Sequence, residues 1–264
     1  MTILEEIMAH KRKEVAQAEE LRPIKLLEKS IFFETPSVSM SEYLKREDKV
    51  GIIAEIKRAS PSLGMIHEYA DVEQLSIGYM QAGASALSVL SDTKYFGGTL
   101  KDIEIARKFN YCPILRKDFM LSEYQLIEAK SHGADCILLI AAALDSQTSK
   151  GLSRTAKQLG LEVLLEVHNK EEIDEYASED VDVIGVNNRN LHDFTTNIQT
   201  SIDLSDNIPS EFVKISESGI SNPEAIQQLK EVGFDGFLIG GYFMEHAQPE
   251  EACANLIKAV KEKK

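Results

Sequence analysis

The sequence has no tryptophan and only three cysteines, Cys112, Cys136 and Cys253, which are far apart and form no C-x-x-C. Their spacing excludes a disulfide framework and a cysteine-rich zinc site, and makes a reducing cytoplasm the expected compartment. Basic residues are outnumbered, 29 Lys plus Arg against 43 Asp plus Glu, for a formal charge of −14. Nucleic acid and anionic membranes need a basic surface, so neither is an expected partner, and any anionic ligand must meet a local basic cluster. Long apolar runs are missing too. The first twenty residues, MTILEEIMAHKRKEVAQAEE, are charged throughout, which predicts neither a secretory leader nor a membrane span. The six histidines, His10, His67, His132, His168, His192 and His246, form no H-x-x-x-H, so no metal site is expected. No fingerprint or aromatic platform for an organic cofactor is present either, and none is expected.

What the chain does have is 43% hydrophobic residues over 264 positions, enough for one large core. From residue 51 onward, short runs rich in Val, Ile and Leu alternate with longer amphipathic stretches, the pattern of βα units around a parallel sheet. Eight such runs predict strands: GIIAEIK (51–57), ASALSVL (84–90), CPILRK (112–117), ADCILLIA (134–141), LEVLLEV (161–167), VDVIGVNN (181–188), FVKISE (212–217) and FDGFLIG (234–240). Several helices end at a Gly just before the next strand, as in QAGASALSVL, SHGADCILLI, KQLGLEVLLE and EVGFDGFLIG. Glycine there supplies a left-handed cap. Eight units in a little over 200 residues predict an α/β fold of the (β/α)8 barrel type, the TIM barrel. A doubly wound sheet usually has fewer strands and a G-x-G-x-x-G after the first, where this chain has KRASPSLG.

Residues 1–50 stand outside the repeat. An amphipathic helix at about 2–19, with Ile3, Leu4, Ile7 and Met8 on one side, is followed by short helices near 23–30 and 40–46. Some fifty residues without a strong core rarely fold alone. Residues 1–264 are therefore expected to be one barrel domain, with 1–50 a helical extension packed on it.

In such a barrel the chemistry sits where strands end. Strand one ends in Glu55 and Lys57, which share a face by the period-two rule, and strand three ends in Arg116 and Lys117. Glu166 lies inside the apolar run LLEV. Asn187 and Arg189 share a face at the end of strand six, and strand seven ends Ser216, Glu217, Ser218, Gly219. Any one of these charges could be merely solvated or paired. Together, acids and bases set among Ile, Leu and Val suggest proton transfer on an anionic substrate, because unpaired charges are costly to desolvate. The glycines of SESGIS and LIGGYFM fit a phosphate site after strands seven and eight, or plain turns. Ser221-Asn222-Pro223-Glu224 reads as a capping box, Gly97-Gly98 as a mobile loop or a tight turn, and RASPSLGMIHE after strand one as a lid.

AEIKRASPSLG, LSVLSD followed by YFGG, LRKDFMLSEYQ, LLEVHN, GVNNRNL, SESGIS and FLIGGYFM, in this order, closely resemble the indole-3-glycerol phosphate synthase family over essentially the whole chain, extension included. The resemblance implies a cofactor-free, metal-free lyase of tryptophan biosynthesis. It would convert a phosphorylated small molecule, 1-(2-carboxyphenylamino)-1-deoxyribulose 5-phosphate, to indole-3-glycerol phosphate with loss of CO₂ and water. By motif, Lys117 would be the general acid at the carbonyl and Glu166 the acid or base of the dehydration. Lys57 would pair with substrate carboxylate or phosphate, and Glu55 would relay a proton and set Lys57. Close Lys and Glu groups titrate together, which leaves the division of roles among the four open. Asn187 and Arg189 would orient the substrate, with Asn187 and Ser218 counted among the catalytic group. Glu217 and Ser218 would complete the wall, while Ser60, Gly219, Leu238, Gly240 and Gly241 would hold the phosphate or line its pocket. The chain departs from the family at Gly241-Tyr242, where Ser or Glu followed by a small residue is more usual. An isomerase of phosphorylated sugars would instead need a Cys/Asp or Asp/Asp pair, and no Cys ends strand one. A noncatalytic anion-binding barrel would leave both Lys/Glu pairs as unused buried charges. The expected assembly is a monomer or a weak homo-oligomer.

Overall fold

The computed structural model describes residues 2–190 and 193–263, so Leu191 of the GVNNRNL motif and His192 among the histidines lie outside the described residues. Eight parallel strands close into a barrel in sequence order: β1 (Ile52–Ile56), β2 (Ala86–Leu90), β3 (Ile114–Lys117), β4 (Cys136–Ile140), β5 (Glu162–Val167), β6 (Val183–Asn187), β7 (Val213–Glu217) and β8 (Gly236–Ile239), with β8 pairing back on β1. Each lies within the run that predicted it, shorter by one to three residues. These runs are continuously apolar because both faces of each strand are covered, the inner by the barrel interior and the outer by helices.

Alternation puts Ile53, Leu115, Leu164 and Ile215, one from each odd-numbered strand, into the barrel interior, where all four are buried in one cluster. The residues two positions further along the same strands are Glu55, Lys117, Glu166 and Glu217. The next layer up is therefore charged where the one below is apolar.

The glycine caps hold: Gly83, Gly133, Gly160 and Gly233 have φ of +102°, +89°, +71° and +88°. Gly97 and Gly98 form a tight turn. Gly97 closes a short helical turn at φ +68°, and a Cβ on Gly98 would lie 2.0 Å from the Leu90 carbonyl oxygen. The capping box at Ser221 is corrected. Asn222 is the cap, its Oδ1 accepting from Ala225 N–H at 2.9 Å, because Pro223 opens the helix and the cap must precede it. Ser221 instead lines the cavity at the barrel mouth.

The extension touches both ends of the barrel. Helix α1 (Ile3–Leu21) begins with a capping box between Thr2 and Glu5 and contributes Ile3, Leu4 and Ile7 to the mouth cavity. Lys11 of α1 is 1% exposed, its Nζ 2.8 Å from Asp92 and 3.0 Å from Asp118, the residues following β2 and β3. At the other end α2 (Ile24–Leu27) leads on to α3 (Met40–Leu44), whose Met40 and Leu44 plug the interior from below. The Glu162 carboxylate accepts from the Ser39 and Ser41 hydroxyls and from the Met40 and Ser41 N–H groups at 2.6–2.9 Å, fixing α3 under the barrel.

Candidate active site

A cavity of about 510 Å³ opens at the C-terminal ends of the strands, and all thirteen residues singled out in the sequence line it: Glu55, Lys57, Ser60, Lys117, Glu166, Asn187, Arg189, Glu217, Ser218, Gly219, Leu238, Gly240 and Gly241. Its volume suits a small ligand of drug-like size. Of the two cations ending β3 only Lys117 points in. Arg116 faces outward, where it pairs with Asp118 at 3.0 Å and Glu128 at 2.9 Å.

Lys117 sits between two carboxylates, 3.0 Å from Glu166 Oε2 and 2.6 Å from Glu217 Oε2. Burial alone would lower its pKa, but Glu217, Glu166 and Glu55 together reverse this and raise it, so the ammonium form is held. The two acids diverge. Burial pushes Glu217 up to about 7, with Lys117 only partly opposing and Glu166 adding like-charge repulsion. Glu166 is just as buried, yet Lys117, His168 and the Asn187 amide take its pKa below the ordinary value. Neighbouring titratable groups pushed apart in this way are suited to separate acid and base duties. Glu217, expected only as pocket wall, thus makes the shorter of Lys117's two carboxylate contacts.

Across the layer Glu55 pairs with Lys57 at 3.0 Å and accepts from the Ser88 hydroxyl at 3.3 Å. Two glycines make room for these acids. A Cβ on Gly185 would lie 2.4 Å from Glu217 Oε1, and one on Gly240 would lie 2.3 Å from Glu55 Oε1. Asn187 ties the wall together, its Nδ2 donating to Glu166 Oε1 and its Oδ1 accepting from the Arg189 backbone N–H, both at 3.0 Å. Arg189 is partly buried, and its guanidinium donates to the Phe194 carbonyl at 3.0 Å.

The end of β7 carries backbone strain. Ser218 has φ +70° and Gly219 +75°, and the Ser218 carbonyl is held by Asn188 Nδ2 at 3.0 Å. A non-glycine residue in this region costs energy and clusters at functional sites. Asn188 in turn accepts from the Ser201 hydroxyl and donates to Ser216, a buried network that braces the loop. Just past the neighbouring strand β8, Gly240 precedes the short helix Gly241–Met244. A Cβ on Gly241 would meet only Leu63 Cδ1, at 4.0 Å, and Gly241 is not in the left-handed region, so conformation does not demand glycine there. Ser60 lies in a two-residue ribbon with Gly64–Met65, its Oγ accepting from Leu63 N–H at 3.2 Å. The segment read as a lid is this ribbon.

Sequence reasoning missed His168, Gly185, Asn188, Lys11 and the α1 side chains. Two had a signal: His168 is two residues from Glu166 and Gly185 two from Asn187, each in step with an inward residue. Among the described residues no three or more His, Cys, Asp or Glu side chains are grouped to hold a metal ion, and no helix is long and apolar enough to cross a membrane.

A closed (β/α)8 barrel whose mouth combines a buried layer of Lys and Glu side chains with a glycine-lined loop pair defines the class of (β/α)8 barrel enzymes. The family model described as indole-3-glycerol phosphate synthase matches residues 4–256. The chain belongs to the indole-3-glycerol phosphate synthase family, carboxy-lyases of tryptophan biosynthesis. An indole-3-glycerol phosphate synthase of Bacteroides thetaiotaomicron is 48% identical over 258 residues, covering 98% of both chains. One of Campylobacter fetus is 39% identical over 259 residues, covering 98% of this chain and 99% of the other. Among solved structures, a mutant tryptophan synthase alpha-subunit of Pyrococcus furiosus aligns with a TM-score of 0.62 at 14% identity, covering 81% of this chain and 99% of that one. The 3-hexulose-6-phosphate synthase of Salmonella typhimurium also gives 0.62, at 13% identity and 81% and 100% coverage. At such identities these structures share the fold alone.

Proposed function

We propose that this chain closes the ring of 1-(2-carboxyphenylamino)-1-deoxyribulose 5-phosphate, then removes CO₂ and water to give indole-3-glycerol phosphate. The observation that carries the reading is Lys117 held between Glu166 and Glu217 at 3.0 and 2.6 Å, at the head of an apolar barrel interior. Lys117 protonates the ketone oxygen as the ring carbon bearing the carboxylate attacks the carbonyl carbon. Loss of CO₂ returns the electron pair to the ring. Lys117, recharged, then protonates the hydroxyl, which leaves as water while Glu166 takes a proton from the methylene carbon beside the nitrogen, and the new double bond completes the indole.

Glu217, buried against Lys117, keeps the ammonium aligned. Lys57, set by Glu55, and Arg189 on the opposite wall are the cations that meet the substrate's carboxylate and phosphate. The phosphate itself is assigned to the N–H groups of Gly219, Gly240 and Gly241 with the Ser60 hydroxyl, and Leu238 and Ser218 shape the floor and rim. Positioning of this kind converts binding into rate, since the reacting atoms meet without further ordering.

Glu166→Gln tests the assignment. It keeps shape and hydrogen bonding but removes the titrating proton, so kcat should fall on the order of 10²-fold or more with KM little changed. A raised KM at unchanged kcat would make Glu166 a binding residue.

A further inference from the structure

Glu166, His168 and Glu172 form a line leading away from the cavity. His168 Nε2 lies 3.7 Å from Glu166 Oε1, and its Nδ1 lies 3.4 Å from Glu172 Oε2. Side-chain exposure rises outward along this line, 6% at Glu166, 14% at His168 and 18% at Glu172. The outer end is fixed. Glu172 Oε2 accepts from the His168 backbone N–H at 2.7 Å and its Oε1 from Asn169 Nδ2 at 3.1 Å, while Asn169 caps the helix Lys170–Tyr176. The inner end is not. His168 Nε2 is buried with no hydrogen-bond partner, facing the Glu166 oxygen that Asn187 already holds at 3.0 Å. A buried imidazole nitrogen left in this way calls for an explanation.

The stoichiometry of the proposed reaction supplies one. The ketone oxygen leaves as water and so gains two protons, while the methylene carbon gives back one; the carboxylate leaves as CO₂ and gives none. One proton per turnover must therefore enter from water. Glu166 can return the methylene proton to Lys117 across their 3.0 Å contact, but the missing proton has to arrive while substrate fills the mouth.

We propose that His168 is the relay that carries this proton from Glu172 and outside water to Glu166, and through it recharges Lys117. The proposal rests on the reading of Lys117 and Glu166 as the proton-transfer pair. Glu172, protonated by water or a buffer acid, gives its proton to His168 Nδ1. The imidazolium releases the Nε2 proton to Glu166 Oε1, and rotation of the carboxyl end brings that proton to the side of Lys117, whose neutral amine takes it. Every group ends in its starting charge state, with the His168 proton on Nδ1 in place of Nε2; a turn of the ring between turnovers restores the starting tautomer, and the buffer acid has become its base. A shift of about 1 Å brings Nε2 within transfer distance, and catalytic hydrogen bonds often tighten only once substrate is bound. Burial would lower the imidazole pKa, but Glu172 and Glu166, with Glu217 from β7 beyond them, raise it above its ordinary value. Lys117 on β3 is the cation that faces this group through Glu166.

The relay acts through Glu166, so the test is restoration of rate by a mobile acid. In dilute buffer His168→Asn should lower kcat about tenfold at pH 7.5 with little change in KM, a fraction of the loss from removing a group that acts directly. Rising concentrations of imidazole buffer should restore it, while the wild type stays indifferent to buffer. Glu172→Gln, nearer the surface, should show a smaller loss with the same restoration, and it stands if the His168 variant fails to fold. Rates equal to wild type in dilute buffer for both variants, or losses that no buffer restores, would overturn the relay. Full turnover by Glu166→Gln would show instead that the underlying assignment is wrong, and the relay falls with it.

Discussion

Gly240→Ala places one methyl group against the charged layer at the barrel mouth. The added carbon would lie 2.3 Å from Glu55 Oε1 and 3.0 Å from both Glu55 Cβ and Cδ. Ordinary contact begins near 3.4 Å, so the carboxylate must retreat by about 1 Å, and with Cβ also crowded, rotation of the end group alone does not relieve it. Its 3.0 Å pair with Lys57 and the 3.3 Å bond from Ser88 are then lost or lengthened. A misplacement of about 1 Å in a catalytic group costs on the order of 10²-fold in rate, while overpacking at one site costs roughly 1–3 kcal/mol, little enough for the barrel to stay folded. Steady-state kinetics by indole fluorescence, beside thermal unfolding, separates the two effects. A folded Gly240→Ala protein within about threefold of wild-type kcat/KM would refute the claim that Gly240 exists to seat Glu55.

Gly241→Ser is the control next door: its Cβ has open space, one added hydroxyl is worth roughly 0.5–1.5 kcal/mol, and kcat/KM should stay within about tenfold in either direction. A larger loss in a folded protein would mean that the phosphate loop is misassigned. Glu217 is raised to about 7, so the folded chain holds its proton more tightly than the unfolded chain; that contribution is full below the ordinary carboxylate range and is lost as pH rises through about 7. Glu217→Gln should flatten the fall in urea stability between pH 5 and 7.5, leaving the part due to Asp135, which burial raises to about 6; an unchanged slope contradicts the assignment. Lys11→Met leaves the buried Asp92 and Asp118 short of a partner and should destabilise by about 3–5 kcal/mol, read as a lower urea midpoint at unchanged slope. A neutral result would show that the ion cluster under α1 is dispensable.

The barrel was legible because buried parallel strands announce themselves as unbroken runs of Val, Ile and Leu, and glycine caps mark where four of them begin. The cavity residues were legible for a related reason: Glu55, Lys117 and Glu166 interrupt such runs, which few structural needs explain. The pairings were not. Lys117 on β3 meets Glu217 on β7 across the full width of the barrel, a contact set by closure and not by any local pattern. Lys11 looks like one more surface charge on an amphipathic helix, and only the packing of α1 over the ends of β2 and β3 makes it a buried ion. Gly240 resembled a phosphate glycine, while the space a side chain there would fill is taken by the Glu55 carboxylate.

The central claim is that Lys117 is the acid that starts the conversion of 1-(2-carboxyphenylamino)-1-deoxyribulose 5-phosphate to indole-3-glycerol phosphate. The purified wild-type chain, given that substrate at neutral pH, should develop indole fluorescence, and Lys117→Ala, folded by circular dichroism, should turn over on the order of 10²-fold or more slowly. A silent wild type would contradict the function, and a Lys117→Ala protein working near the wild-type rate would contradict the mechanism and move the acid role to Lys57.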